Sequence, residues 1–414
     1  MPANSLYTGD NLNVLRQRVL AESVDLVYLD PPFNSRSNYY ASPRSAGTGN
    51  RAGRVRVFGD VWRWDKRIEK EFARLLAGNN RIAQAMAACR TLLNEGAMLA
   101  YLTMMAPRLG ELHRVLKPTG SLYLHCDPSA SHYLRVLLDA VFGPSQFRNE
   151  IIWRRTGCHG PRRSFGPIHD TLLFYSKTAD YFFCLARRPY MRGHVTRRYC
   201  QESSGRYKFT SGGNVLTGAR GTNGDSGKPW RGFDPAARNR HWAVPGFLAE
   251  QMPAAFDQLG VLDKLDALYE AGFIEIRPGA AWPVPVRHLK IDDGQPLPDI
   301  WSYQPYTEGT VHESSKGIDA DVAWLGPTDP ERHGYPTQKP LGLLERIIRS
   351  SCPEGGMVLD PFCGSGTALI AAQQLQRRWV GIDAAKAAIA LTKRRLFDVC
   401  GLKARRDYGW QATR

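Results

Sequence analysis

VLDPFCGSGTALIAAQQLQRRWVGID, residues 358–383, decides the fold. A short apolar run meets Gly364 and Gly366, ALIAAQQLQ follows with helical composition, and WVGID is a second short run that closes on Asp383. Strand, glycine turn, helix, strand and terminal acid are the parts of a nucleotide-binding αβ unit in their usual order. The glycines let the backbone approach a ligand closely, and an acid at the tip of the second strand can accept both hydroxyls of a ribose.

What is missing narrows the ligand. No lysine follows the glycines as it does in a Walker loop, and the turn lacks the GxGxxG that holds a pyrophosphate. Asp360, at the end of the first strand, would repel a phosphate and attract an ammonium. S-adenosylmethionine joins a ribose to an ammonium-bearing amino acid and carries no phosphate, so it fits that pattern.

Outward from this unit the same rhythm recurs. Residues 1–34 read as strand, helix and strand in LYTGD, NLNVLRQRVL and VDLVYLD. TLLNEGAMLAYLTMMAPRLGELHRVLKPTG has apolar residues at helical spacing and stops at Pro118-Thr119-Gly120. SLYLHCD then reads as a strand and ASHYLRVLLDAVFG as a helix ending on Gly143. PLGLLERIIRSSC predicts a helix ahead of the glycine turn, and AAKAAIALTKRRL another beyond it. Such alternation predicts an α/β fold with a mostly parallel sheet covered on both faces.

Residues 181–330 break the rhythm. SSGRYKFTSGGNVLTGARGTNGDSGKPWRGFD is rich in Gly, Ser and Asn without a period, and reads as an inserted recognition region. Within the insertion, FDQLGVLDKLDALYEAGFIEIRPGAAWPVPVRHLK predicts a helix, a turn at Gly272 and a short strand pair. The expected organisation is a first half over 1–180, the insertion over 181–330 and a second half over 331–414.

Charge points to a partner. In 414 residues, 55 Lys plus Arg against 39 Asp plus Glu leave a net +16, which suits a polyanion. Arginines gather at 36–60, 153–166 and 186–200 with aromatics among them, a mixture fitted to phosphate neutralisation and base stacking. The eight cysteines form no CxxC and no His pair has zinc-finger spacing, which argues against structural zinc. With neither a signal-peptide core nor 18 consecutive apolar residues, the expected setting is the cytoplasm, away from membranes and with reduced thiols.

A second unusual stretch is VDLVYLDPPFN, residues 24–34, where a hydrophobic strand ends on Asp30-Pro31-Pro32-Phe33. Ligands of open αβ sheets bind at that end of a strand. The exocyclic amine of a nucleobase is a poor nucleophile because its lone pair is delocalised into the ring. A catalyst that methylates it should therefore accept both N–H groups and favour a pyramidal nitrogen. Asp30 supplies one acceptor and the Pro31 carbonyl another, held still by proline rigidity. Phe33 offers a flat face to a base flipped out of its duplex. Rate enhancement then comes from aligning the nitrogen with the sulfonium methyl, without a covalent nucleophile. Cys126 and Cys363 read as packing residues, since cytosine-C5 chemistry needs a Pro-Cys dipeptide that the chain lacks. His125 reads as a hydrogen bonder behind the site.

LDPPFN and VLDPFCGSGT, with YTGD near the start and GYPTQKPLGLLERII at 334–348, resemble the DNA amino-methyltransferases that modify adenine N6 or cytosine N4. Catalytic motif first, recognition region in the middle and cofactor loop last resembles their circularly permuted beta group, of Rossmann-like methyltransferase fold. NEIIWRRT, HDTLLFYSK, RHWAVPGF, LYEAGFIEI and LPDIW extend the likeness over most of the chain. The resemblance implies that Asp30, Pro31, Pro32 and Phe33 hold the target amine. It puts Asp360, Phe362, Gly364, Gly366 and Thr367 around the methionine part of S-adenosylmethionine, Asp383 at the ribose and Asp10 at the adenine amine. Lys339, in TQKP, is the expected partner of the methionine carboxylate. Asn34, Arg36, Arg154, Arg155, Arg162, Arg163, Arg197 and Arg198 are the expected DNA contacts, and no metal is expected. Duplex DNA is the implied partner, with a homodimer and a cognate restriction enzyme as further candidates.

The expected activity is site-specific methylation of adenine N6 in duplex DNA by base flipping. Within the family Asp-Pro-Pro favours adenine and Ser-Pro-Pro cytosine, yet both bases present the same amine-plus-ring-nitrogen edge, so cytosine N4 stays open. Methylation of RNA or of a protein glutamine shares the amine geometry, but the arginine-rich insertion and the permuted order argue against it. A DNA-binding regulator on a catalytically dead methyltransferase fold is disfavoured by the intact Asp30 and glycine turn.

Overall fold

The computed structural model describes residues 4–33, 37–41, 55–157, 163, 165–190, 192–210, 218, 224–290, 293–302, 322–326 and 328–412. The chain divides into two compact units. Met1–Ala186, Pro296–Gln304 and Ala320–Arg414 form the first, and Arg187–Gln295 with Pro305–Asp319 the second.

The first unit is built on a nine-stranded sheet. Its strands are β1 (Ser5–Thr8), β2 (Val24–Leu29), β3 (Leu116–Cys126), β4 (Phe147–Arg154), β5 (His169–Ser176), β6 (Ile300–Trp301), β7 (Met357–Asp360), β8 (Arg378–Asp383) and β9 (Gly409–Ala412), in the order β6-β4-β5-β3-β2-β7-β8-β1-β9. From β3 to β9 neighbouring strands run parallel, and β5 is antiparallel to both β3 and β4. The sheet is thus mostly parallel, as the alternating pattern predicts. At its centre β2 pairs with β7, Leu26 opposite Val358 and Val27 opposite Leu359. Both unusual stretches of the sequence therefore end side by side, at the carboxyl ends of two central parallel strands.

Helices cover both faces. Val27 and Leu29 pack with α1 (Asn11–Arg18), α3 (Arg81–Leu93), α4 (Ala97–Val115) and α5 (Ser131–Phe142). Leu26 and Tyr28 pack on the other side with α6 (Leu341–Ser351), α7 (Thr367–Gln374) and α8 (Lys386–Cys400). The α2 helix (Lys66–Ala77) buries Ile68 and Phe72. Each fully buried Val, Leu or Ile contributes roughly 1.5–3 kcal/mol, which is why β2 reads as a nearly continuous apolar run.

One polar exception in β2 is structural. Asp25 is buried, accepts from Lys117 Nζ through each of its two oxygens at 2.8 Å, and accepts the Met357 N–H through Oδ2 at 2.8 Å. It thereby ties three parallel strands together. The pairing of Val24 with Leu116 starts β3 ahead of the expected stop at Pro118-Thr119-Gly120, and the register shifts between Val24 and Leu26, which pairs with Ser121. The long apolar stretch before it is two helices, because Asn94 takes φ +52° and ends α3 before α4 begins.

In the second unit the helix Val261–Glu270 is followed by Gly272 at φ +76° and by the antiparallel pair Ile274–Glu275 and Val284–His288, as the sequence predicts. Tyr207–Thr210 and Cys200–Gln201 extend that pair to four strands. Trp230, Trp242 and Trp282 centre its core. Residues 296–304, within the expected insertion, belong to the first unit, where Ile300–Trp301 pairs with β4. Among the described residues no helix is long and apolar enough to cross a membrane, and no cluster of His, Cys, Asp and Glu is arranged to hold a metal.

Candidate active site

A cavity of about 470 Å³ opens where β1, β2, β7 and β8 end. Asp30, Pro31, Pro32 and Phe33 line it from the end of β2. Asp360 lines it from the end of β7, Phe362 and Gly364 from the turn that follows, Thr367 from the start of α7, Asp383 from the end of β8, and Asp10 from the start of α1. Lys339 enters from the segment before α6. Gly366 works from beneath: its φ is +79°, and a Cβ there would fall 2.6 Å from Thr392 Cγ2. The turn can be this tight because those positions have no side chain.

The acids at the strand ends are engaged by backbone donors. Asp360 is buried, and one of its oxygens accepts the Phe362 N–H at 3.0 Å. Burial drives its carboxyl well above the usual carboxylate range; the Phe362 N–H and Lys339 oppose this, while Asp30 and Asp383 add to it. Asp383 accepts the Gly364 N–H at 2.9 Å and the Ala385 N–H at 2.7 Å. Burial raises its carboxyl too, against those two bonds. A carboxylate has about four acceptor positions, so both acids keep capacity for a ligand.

Asp10 caps α1 through the Asn13 N–H and pairs with Arg108 Nη2 at 2.6 Å. Arg108 also donates to Asn11 Oδ1 at 2.6 Å, and Asn11 donates to the Pro361 carbonyl at 2.8 Å. This chain fastens the start of α1 to the glycine turn. Sequence reasoning missed Asn11 and Arg108; an arginine within the otherwise apolar TMMAPRLG was the available signal.

At the Asp-Pro-Pro-Phe corner, Lys339 Nζ donates to Asp30 Oδ2 at 2.5 Å and lies 5.3 Å from the centroid of the Phe33 ring. The lysine expected at a methionine carboxylate is thus paired with Asp30. The Phe33 N–H donates to Asp60 Oδ2 at 3.0 Å, and the indole of Trp62 donates to Asp60 Oδ1 at 3.2 Å. Asp60 is buried at the end of the hairpin formed by Ser37–Ala41 and Val55–Asp60. It also lines the cavity, and the sequence reading passed over it.

Other supports come from far along the chain. Arg395 of α8 is buried and donates to the Ser365 carbonyl, Ser365 Oγ and Thr367 Oγ1 at 2.8, 3.0 and 2.9 Å. Burial lowers its pKa to about 10, with Glu331 acting against the shift. Glu331 accepts the Leu341 N–H at the start of α6. The Tyr335 ring packs so close to Gly364 that a Cβ there would lie 3.1 Å from it. Cys126 and Cys363 are buried with their thiols pushed up by burial, which fits packing rather than nucleophilic roles.

Residues 24–394 match the family model described as DNA methylase, N6_N4_Mtase. The chain belongs to the N6_N4 DNA methylase family. This family member is 28% identical over 290 residues to the type II methyltransferase M.EcaI of Enterobacter cloacae, covering 69% of this chain and 54% of that one. It is 26% identical over 372 residues to the Mod subunit of the type III restriction-modification enzyme StyLTI of Salmonella typhimurium strain LT2, covering 88% and 49%. The chain thus spans about half the length of these curated relatives. The solved M1.HpyAVI–SAM complex aligns with 95% of this chain and 98% of its own at 13% identity and TM-score 0.40.

Of the DNA contacts expected in this N6_N4 methylase, Asn34, Arg36 and Arg162 lie outside the described residues. Arg155 is ion-paired with the buried Asp170 at 2.9 Å, and the Arg154 guanidinium sits 5.2 Å from the Trp324 ring. Arg163 is exposed, as are Arg197 and Arg198 on the second unit's helix Arg192–Arg198.

Proposed function

We propose that this protein transfers the methyl group of S-adenosylmethionine to the N6 amine of adenine at a specific site in duplex DNA. The observation that carries the reading is the pairing of β2 with β7, which brings Asp30-Pro31-Pro32-Phe33 and the glycine turn into one cavity.

The residues present suit the cofactor. Asp360 is a buried carboxylate whose charge is penalised by burial, so an ammonium brought beside it would be strongly held. Asp383 would accept the ribose hydroxyls, and Asp10 the adenine amine. When bound, S-adenosylmethionine supplies an electrophilic methyl group on a sulfonium. Asp30 and the Pro31 carbonyl accept the two N–H groups of the target amine, Phe33 stacks its ring, and Asp30 receives the proton that the amine loses. For this, Lys339 must share or leave Asp30, and a methionine carboxylate is a second anion to which it can turn. The same acceptors suit cytosine N4, and Asp-Pro-Pro favours adenine.

Charge of +16 and exposed arginines support duplex DNA as the partner. A relative that is the Mod subunit of a restriction-modification enzyme supports a cognate endonuclease, which co-purification would test; a homodimer and a cytoplasmic setting are implied by the family resemblance alone, and sedimentation would test the first. The deciding experiment incubates the protein with plasmid DNA and labelled S-adenosylmethionine, digests to nucleosides and identifies the labelled base by mass. Label on N6-methyladenine is the expected result. Label on N4-methylcytosine would reassign the base, and no label above an Asp30→Ala control would refute DNA methylation.

A further inference from the structure

We propose that His125, clamped between Tyr28 and an Asp170–Arg155 ion pair, is a positioning residue that sets the plane of Phe33 for the target base. The proposal rests on the reading of Phe33 as the stacking ring. Asp60 fixes the backbone of Phe33, but a backbone bond leaves the ring free to change rotamer. What limits the ring is the surface behind it. His125 stacks against it with centroids 6.0 Å apart and planes 19° from parallel.

That surface is unusually well secured. His125 is fully buried on β3, and both of its ring nitrogens are engaged. Nδ1 lies 3.0 Å from Tyr28 Oη, and Nε2 lies 3.0 Å from Asp170 Oδ2. The Trp153 ring meets His125 edge-on at 5.7 Å. Arg155 Nε then holds Asp170 Oδ1 at 2.9 Å. Burial pushes the Asp170 carboxyl up, but the hydrogen bond to His125 and the nearby Lys339 and Arg155 outweigh it and leave it below the usual range. Asp170 is therefore an anion beside Nε2, and the Tyr28 hydroxyl, which burial keeps protonated, faces Nδ1. The imidazole cannot turn without breaking both bonds in a dry interior.

An apolar side chain would fill the same space without burying an acid, an imidazole and a hydroxyl. Orientation is what the polar arrangement adds. His125 stands behind Phe33 and outside the cavity lining, whereas Tyr28 and Phe33 line it. Its influence on a base must therefore pass through the Phe33 ring. Arg155, directly after β4, is the half-exposed end of this brace.

The test uses the full-length protein and a duplex carrying 2-aminopurine at the target position, located by mapping methylated plasmid. For wild type with S-adenosylhomocysteine, a flipped 2-aminopurine stacked on Phe33 should have a short fluorescence lifetime. His125→Ala and Asp170→Asn should lengthen it toward that of Phe33→Ala. They should lower kcat about tenfold or more while leaving the KM for S-adenosylmethionine within about twofold. Asp170→Asn keeps the side-chain volume and decides the matter if His125→Ala does not fold. Lifetimes and kcat within about twofold of wild type in folded Asp170→Asn would overturn the brace alone. A wild type that transfers no methyl to DNA would overturn the functional reading, and the brace with it.

Discussion

Lys339 Nζ and Asp30 Oδ2 are 2.5 Å apart across 309 residues of sequence, with both side chains largely buried. Removing one member of such a pair leaves the other charge unmatched in a poorly solvated site. Lys339→Met is expected to destabilise the fold by roughly 3 kcal/mol. Asp30→Asn combined with Lys339→Met should cost less than the two singly, with a coupling of about 1–3 kcal/mol. Urea unfolding of the four proteins measures it, and strict additivity would show that the pair contributes nothing.

Asp360 gives stability a defined pH slope. Its carboxyl is raised by burial, so the fold keeps a proton at pH values where the unfolded chain has released it. Stability on this account falls as pH rises above the ordinary carboxylate range, and is recovered on acidification. Asp360→Asn keeps an acceptor for the Phe362 N–H and lacks that slope. It should melt a few degrees above the cofactor-free wild type near neutral pH, the advantage shrinking toward about pH 4. Its affinity for S-adenosylmethionine should drop. Scanning calorimetry across pH checks the first part; a Tm difference that does not vary with pH would contradict it.

Arg395 supports the glycine turn from α8 through three hydrogen bonds. Arg395→Met keeps the length and removes the donors, so Ser365 and Thr367 lose their partner. A loss of roughly 2 kcal/mol is expected. Titration calorimetry should show weaker S-adenosylmethionine binding with unchanged DNA affinity at fixed salt. Equal loss of both would mean the arginine serves general stability.

Gly366→Ala combines a left-handed φ with a methyl 2.6 Å from Thr392 Cγ2. The backbone alone costs about 1–3 kcal/mol. The companion change Thr392→Ser removes the clashing methyl, and should recover part of the lost stability and cofactor binding. If it recovers none, strain at φ is the whole effect.

The glycine turn, its flanking strand and helix, and the Asp-Pro-Pro-Phe corner were legible because their chemistry is local: apolar runs, turn residues and acids lie consecutively. The residues that hold them were not. Asp60, Arg108, Arg395 and Asp170 act through partners that only the fold brings near, and a single arginine or aspartate in sequence does not name its partner. Asn94 ended a helix within a stretch whose apolar spacing continues across it, because spacing is blind to one residue at positive φ. Composition around Arg155 gave no sign of its ion pair with the buried Asp170. Ile300–Trp301 joins the sheet with two residues, too short to show any alternation.

The central ladder between β2 and β7 makes the whole span from Asp30 to Asp360 a closed loop on the chain. Loop closure grows only logarithmically with length. A lineage could therefore lengthen, trim or exchange the residues of the second unit with little penalty at the ladder that unites the two chemical motifs. Divergence in the middle of the chain and constancy at its two ends become independent variables.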